Sequence, residues 1–212
     1  VFRLKAQSTA VSSGMLKKKE FFMDTITVRR LMRKRRRLIT PHKQVEAGKK
    51  LAKQLSVLPC FRNSKRIAFY MAHDGEINPD FAMHIAEATG KECYLPVLHP
   101  LKQNRLYFIR YRSGDPLGIN RFGIKEPFLR GEKITPAFAL DLILLPLVAF
   151  DRSCNRIGMG GGFYDRTLRP HQYFTRLVGL AQSCQETDSI NKQPWDIPLE
   201  AVVTEKIVIY SK

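Results

Sequence analysis

No run of apolar residues approaches the roughly 20 needed to cross a bilayer. The opening VFRLKAQSTAVSSG holds no apolar stretch of signal-peptide length. Membrane insertion and secretion are therefore not expected, and the chain reads as cytoplasmic. Cysteine is scarce too. Cys60, Cys93, Cys154 and Cys184 stand 30 or more residues apart, with no CxxC or Cys/His pair at metal-ligand spacing. That argues against zinc and leaves core thiols in a reducing compartment. His42, His73, His84, His99 and His171 form no ligand cluster either. Acidic residues are rare in the first 50 positions, 3 Asp/Glu against 15 Lys/Arg. The other 162 residues carry 16 against 21, so most of the formal charge of +17 sits in one N-terminal segment. Its centre is RRLMRKRRR, Arg29 to Arg37. Such a run suits the phosphates of RNA, an anionic membrane surface, a nucleotide, or plain solvation of a helix face. No RRM, KH or helix-turn-helix signature accompanies it, so nucleic acid is not the expected partner.

What is present is enough for one sizeable core: 212 residues, 44 % of them apolar. Residues 1–22 lack hydrophobic periodicity and read as a disordered or non-native leader, leaving 23–212 as a single domain. Leu31, Leu38, Val45, Leu51 and Leu55 recur at helical intervals, interrupted by Thr40-Pro41. A Thr N-cap followed by Pro at the first helical position predicts two helices there, the first strongly basic. The period then changes. Arg66–Met71 predicts a strand ending in the turn His73–Glu76, and 79–89 a helix closed by Gly90. Glu92–Leu98 and Leu106–Tyr111 predict strands, with Pro96 marking the end of the former. Residues 112–136 are rich in Gly and Pro and read as an irregular, functional loop. DLILLPL (Asp141–Leu147) predicts a central strand covered on both faces. Leu177–Ala181, Val202–Val203 and Ile207–Tyr210 follow as strands. The alternation implies an α/β fold of three layers, a mainly parallel sheet flanked by helices.

The chemistry concentrates after the central strand, in RIGMGGGFYDR (Arg156–Arg166). Four glycines in five positions let backbone N–H groups approach an anion without Cβ obstruction, and they open a helix. Arg156 and Arg166 add positive charge, and Asp165 places a carboxylate where magnesium could sit beside a phosphate. The run is neither GxGxxG nor a P-loop. From spacing alone, a phosphate cradle and a tight strand-to-helix turn packed by aromatics both remain open.

The longer run PLVAFDRSCNRIGMGGGFYDRTL resembles the signature of the 5-formyltetrahydrofolate cyclo-ligase family, also called methenyltetrahydrofolate synthetase. MAHDGEIN, YLPVLHP, WDIPL and the basic N-terminal helix match in the same order. The likeness spans about residues 24–210 and is nearest the bacterial branch, which has three successive glycines. The resemblance implies ATP- and Mg²⁺-dependent closure of 5-formyltetrahydrofolate to 5,10-methenyltetrahydrofolate. The formyl oxygen is phosphorylated, N10 attacks the activated carbon, and phosphate leaves.

It also implies roles. Arg29, Arg33, Arg156, Gly158, Met159, Gly160, Gly161, Gly162, Phe163 and Tyr164 would hold the nucleotide. Arg156, Tyr164 and Arg29 would serve the reaction itself. Met71, Glu76, Gly161, Gly162, Phe163 and Tyr164 would hold the folate substrate, polyglutamylated or not. Asp165 and Asp196 would be the magnesium carboxylates. Trp195 would pack over the nucleotide or anchor the C-terminal segment. One position departs from the family: Thr25 stands where Lys or Arg is usual, with Arg30 or Arg33 available as substitutes. Rival readings are a nucleic-acid-binding protein and a catalytically inert folate-binding relative. A monomer without membrane partners is expected.

Overall fold

Asp24 opens the first helix, α1 (Thr25–Arg37), its Oδ1 accepting hydrogen bonds from the N–H groups of Ile26 and Thr27 at 2.9 and 3.0 Å. The computed structural model describes residues 24–129, 131, 133–171 and 174–211. The expected leader at 1–22 lies outside the described residues. Within α1 the buried row is Val28, Met32 and Arg36, spaced by four, whereas Leu38 caps the helix and is 74 % exposed. The periodicity through Leu31 and Leu38 therefore picks the wrong stripe: the face packed on Val148, Ala149 and Ile157 carries an arginine. Helix α2 (Pro41–Ser56) starts as expected, with Thr40 Oγ1 accepting from Lys43 N. It buries Leu51 and Leu55 but leaves Val45 exposed. A short helix α3 (Pro59–Asn63) leads into the sheet.

Eight strands form that sheet: β1 (Arg66–Ala68), β2 (Glu92–Leu98), β3 (Leu106–Tyr111), β6 (Ile134–Thr135), β7 (Leu142–Pro146), β10 (Arg176–Leu180), β11 (Ala201–Val203) and β12 (Val208–Tyr210). The intervening strands make two separate hairpins, β4 (Leu117–Ile119) with β5 (Lys125–Pro127) and β8 (Ala149–Phe150) with β9 (Arg156–Ile157). The order in the sheet is β12-β11-β10-β7-β1-β2-β3-β6. Five central strands run parallel, and antiparallel strands close both sides. Period-two alternation splits the core into two layers. Ile67, Leu142, Leu144, Val178, Ala201 and Val203 face α2, α3 and helix α4 (Asp80–Ala88). Ala68, Ile143, Leu145, Leu177 and Val202 face the opposite side, where Leu168 of helix α5 (Phe163–Leu168) packs. The three-layer α/β architecture is thus present. Cys60, Cys93 and Cys154 are buried free thiols and Cys184 is half-buried. Among the described residues no helix is long and apolar enough to cross a membrane.

Three boundaries depart from expectation. β1 ends at Ala68, because beyond the Phe69 N–H bond to Tyr94 O (2.8 Å) the chain peels away into the turn. β2 continues through Pro96 because its other edge pairs with β3, Pro96 opposite Phe108; on the β1 side Pro96 lacks the N–H that Phe69 O would take as the next ladder bond, and pairing there stops at Tyr94. The 112–136 loop is not wholly irregular, since it contains the β4–β5 hairpin and then β6.

The chain leaves β1 towards β2 on one side, and later builds outward from β7 to β10 and β11 on the other. The sheet's direction of growth therefore reverses between β1 and β7, and the carboxyl ends of these two strands frame a crevice. Gly179 in β10 lies where a Cβ would come within 2.6 Å of Leu147 and 2.8 Å of Leu199, both buried. Gly179→Ala should cost about 1–3 kcal/mol by overpacking and lower Tm by several degrees. Calorimetry finding an unchanged Tm would contradict this close packing.

Candidate active site

Two segments meet at the crevice. The first follows β1. Tyr70 donates from its hydroxyl to Ile77 O at 2.7 Å, closing a loop that contains Met71 and the turn His73–Glu76. Met71 is half-buried against the α2-side core. Asp74 adopts φ 53°, which a short polar side chain tolerates when its carboxylate is tied down. It is held by three arginines of α1: Arg33 Nε at 2.8 Å, Arg36 Nη2 at 3.0 Å, and Arg37. Burial alone would raise its pKa, but these donors hold it at about 2. Glu76 is the reverse case. Burial pushes its carboxyl up to about 7, with Arg36 (3.6 Å) and the His73 N–H (3.1 Å) only partly offsetting. Burial likewise raises Tyr164, and the negative charge of Glu76 adds to that rise. Glu76 and Tyr164 are thus both desolvated, and the charge of one is felt by the other although they lie on opposite segments.

The second segment follows β7. The tight β8–β9 hairpin delivers the glycine run. Arg29 Nε donates to Gly158 O at 2.9 Å, and its guanidinium lies against Gly160, whose φ is +97°. Gly162, at φ +64°, caps α5 in the left-handed region that favours glycine. Among the described residues, none accepts a hydrogen bond from the N–H groups of Gly158, Met159, Gly160, Gly161 or Gly162. Helix α5 has only six residues, so its dipole adds less than the sequence suggested.

Arg156 joins the far parts. It donates from Nη1 to Ile197 O and from Nη2 to Asp165 Oδ1, so the WDIPL segment is brought to the carboxylate at the start of α5. Asp196 is adjacent, its Oδ2 accepting from Gln193 N at 2.8 Å, while Trp195 is 56 % exposed. No group of three or more His, Cys, Asp or Glu is gathered for a metal among the described residues. Two carboxylates nonetheless suit Mg²⁺, which keeps several waters and completes its shell with phosphate oxygens. Thr25 is exposed at the start of α1, with none of the contacts that Arg29 and Arg33 make.

Some participants are missed by sequence reasoning. Arg36 is fully buried and donates to Asp74 O (2.8 Å), Leu147 O (3.1 Å) and Met159 Sδ (3.8 Å). Its spacing with Val28 and Met32 was the available signal. Asp74 had none beyond its place in a polar turn. Phe122, at the tip of the β4–β5 hairpin, meets Phe163 edge-on with ring centroids 5.6 Å apart. The Gly/Pro-rich loop therefore reaches the glycine run.

A family model described as the 5-formyltetrahydrofolate cyclo-ligase family matches residues 23–205. The chain belongs to that family. A 5-formyltetrahydrofolate cyclo-ligase of Escherichia coli K12 is 41 % identical over 175 residues, covering 82 % of this chain and 96 % of the relative. The Haemophilus influenzae cyclo-ligase is 40 % identical, covering 81 % and 92 %. The solved Aquifex aeolicus 5,10-methenyltetrahydrofolate synthetase superposes with TM-score 0.74 at 31 % identity, covering 89 % of this chain and 93 % of that one. A Mycoplasma pneumoniae synthetase at 22 % identity shares the fold, with TM-score 0.69. The chain is thus a cyclo-ligase-family enzyme. A Cβ on Gly161 would come within 2.7 Å of the Phe163 ring. In this enzyme Gly161→Val should displace that ring into the anion approach and raise the KM for ATP about tenfold, a loss of about 1.4 kcal/mol. Steady-state kinetics with normal ATP affinity would count against the cradle.

Proposed function

We propose that this cyclo-ligase converts 5-formyltetrahydrofolate into 5,10-methenyltetrahydrofolate at the crevice between the His73–Glu76 turn and the Arg156–Arg166 segment, using ATP and Mg²⁺. The observation that carries the reading is the glycine run 158–162, whose five amides meet no acceptor among the described residues and which Arg29 holds through Gly158 O, at the point where the sheet reverses direction. A phosphoryl group needs little covalent help from protein; it needs positioning and charge neutralisation. Amides 158–162 and the guanidinium groups of Arg29, Arg33 and Arg156 supply both for the triphosphate. Arg33 can do so only by loosening its bond to Asp74, whereas Arg29 already lies on the loop.

Glu76 presents a carboxylate to the amino-pyrimidine edge of the pterin, and Met71 lines the apolar side. Tyr164 and Phe163 flank the folate and exclude water. The formyl oxygen takes the terminal phosphoryl group of ATP, with ADP leaving. N10 then bonds to the activated carbon and gives up its proton, and phosphate departs with the former formyl oxygen. Asp165 and Asp196 would hold the magnesium ion, which would supply charge neutralisation where negative charge gathers. Arg156 aims both carboxylate segments through its bonds to Asp165 and to Ile197 O.

The nucleic-acid reading loses its main support, because four of the α1 arginines are engaged internally. An inert folate binder would lack a use for the free amide row. The direct test follows near-ultraviolet absorbance of the methenyl product. Signal is expected only with 5-formyltetrahydrofolate, ATP and Mg²⁺ together, and chelation by EDTA should abolish it. Asp165→Asn should reduce kcat by about 100-fold or more, with the fold kept and Tm lowered by the loss of the charge opposite Arg156. Unchanged turnover in that variant would sink the metal assignment, and product without ATP would sink the reaction.

A further inference from the structure

Arg36 contacts both segments of the crevice, the turn after β1 and the chain after β7, while fully buried. Its Nε binds Asp74 O, Nη1 binds Leu147 O at the end of β7, and Nη2 binds Asp74 Oδ2 while lying 3.8 Å from Met159 Sδ and 3.6 Å from Glu76 Oε1. One planar fork thereby gauges the distance from the turn to the glycine run. Leu147 O is also bound by Gln185 Nε2 at 2.6 Å, so the fork rests on a fixed carbonyl. Gly75 lies so close that a Cβ there would come within 3.0 Å of Arg36 O.

We propose that Arg36 is a positioning residue for the folate carboxylate: anchored by Asp74 and Leu147 O, it orients Glu76 and divides one positive charge between Glu76 and Asp74, so that the charge of Glu76 is set from behind the turn. This role rests on the reading that Glu76 meets the folate. Its physical basis is competition for one guanidinium. Asp74 receives direct bonds from Arg33, Arg36 and Arg37, whereas Glu76 has Arg36 alone within ion-pair distance among the described residues.

The surroundings of Glu76 decide the sign. From α1 it faces Arg36 and, further off, Arg33; from its own turn, the His73 N–H and Asp74. Tyr164 of α5 and Tyr70 after β1 feel its charge, and Asp80 of α4 acts on Tyr70. Gln44 of α2 is the neutral neighbour, donating to Gly75 O at 3.2 Å. Removing Arg36's charge takes away an influence that favours ionised Glu76, so its titration must move to higher pH. Removing the charge of Asp74 takes away a repulsion and frees Arg36 for Glu76, so the titration must move lower. Two neighbouring substitutions should therefore act in opposite directions, which mere loss of support would not produce.

The test is kcat/KM for 5-formyltetrahydrofolate against pH at saturating Mg-ATP. Arg36→Met should move the acid limb up by about one pH unit, and Asp74→Asn should move it down by about as much. KM for ATP should change less than about twofold, since tenfold would mean about 1.4 kcal/mol of lost nucleotide contact. Carbon-13 NMR of the Glu76 carboxyl in the full chain reads the same shifts without turnover. An acid limb and carboxyl titration that stay at the wild-type pH in Arg36→Met would overturn the proposal, leaving Arg36 a structural brace. Should that variant fail to fold, Arg36→Gln takes its place, because it removes the charge but keeps hydrogen-bond donors for Leu147 O and Asp74 O. An unmoved Glu76 titration there would equally overturn it. Glu76→Gln separates the two readings: an acid limb that survives this change removes Glu76 from the folate site, while the NMR shifts still judge Arg36.

Discussion

A buried guanidinium is expensive to desolvate, and here it is tolerated because its surroundings are almost entirely acceptors. Arg36 meets a carboxylate, two backbone carbonyls and a thioether. Stripping one partner from such a buried charge costs on the order of 3–5 kcal/mol. Little else fastens α1. Its 13 residues carry seven cations, and its buried apolar side chains are Val28 and Met32. The helix that delivers Arg29 to the glycine run is thus held by charge pairing as much as by burial. Asp74 is the fulcrum, since one carboxylate gathers three of those cations and stays ionised to about pH 2.

The second constraint is topological. Glu76 and Gly160 are distant in sequence and on different βα connections, yet both follow strands that sit side by side. Parallel pairing of β1 and β7 places both exits at one end of the sheet, and reversal of strand order there leaves a gap that neither crossover fills. Residues on the two exits need only short reaches to share solvent-poor space. This is why the ionisation of Glu76 is felt at Tyr164.

Much of the layout was legible because two local rules dominate it. Thr40-Pro41 reads as a helix start wherever it occurs, and DLILLPL is too apolar for anything but a strand covered on both faces. The glycine run stands out in sequence, and two of its positions, Gly160 and Gly162, adopt the positive φ that disfavours side chains. The resemblance named the carboxylates, and their neighbours were then found where contacts between distant segments placed them. Legibility failed where the deciding partner lies far along the chain. Arg36 looks like one more cation in a basic run until Leu147 and Met159 are brought beside it. Leu38 looks like core until the helix ends beneath it. Pro96 looks like a strand terminus until β3 is found paired along the other edge. Phe122 sits in a stretch whose composition says only loop, and its contact with Phe163 depends on how the β4–β5 hairpin folds back.

The contacts of α1 also bear on assembly. Its bonds to Leu147 and Met159 span 111 and 123 positions, against three or four for the bonds inside the helix. Closing loops of that length is entropically slow, and non-local contacts form late relative to local ones. During synthesis α1 emerges well before β7, so its cations wait without their acceptors while the helices and first strands of the sheet take shape. The crevice is completed only when that early helix is recaptured by late-made chain, which makes an intact site a report that β7 has already joined the sheet.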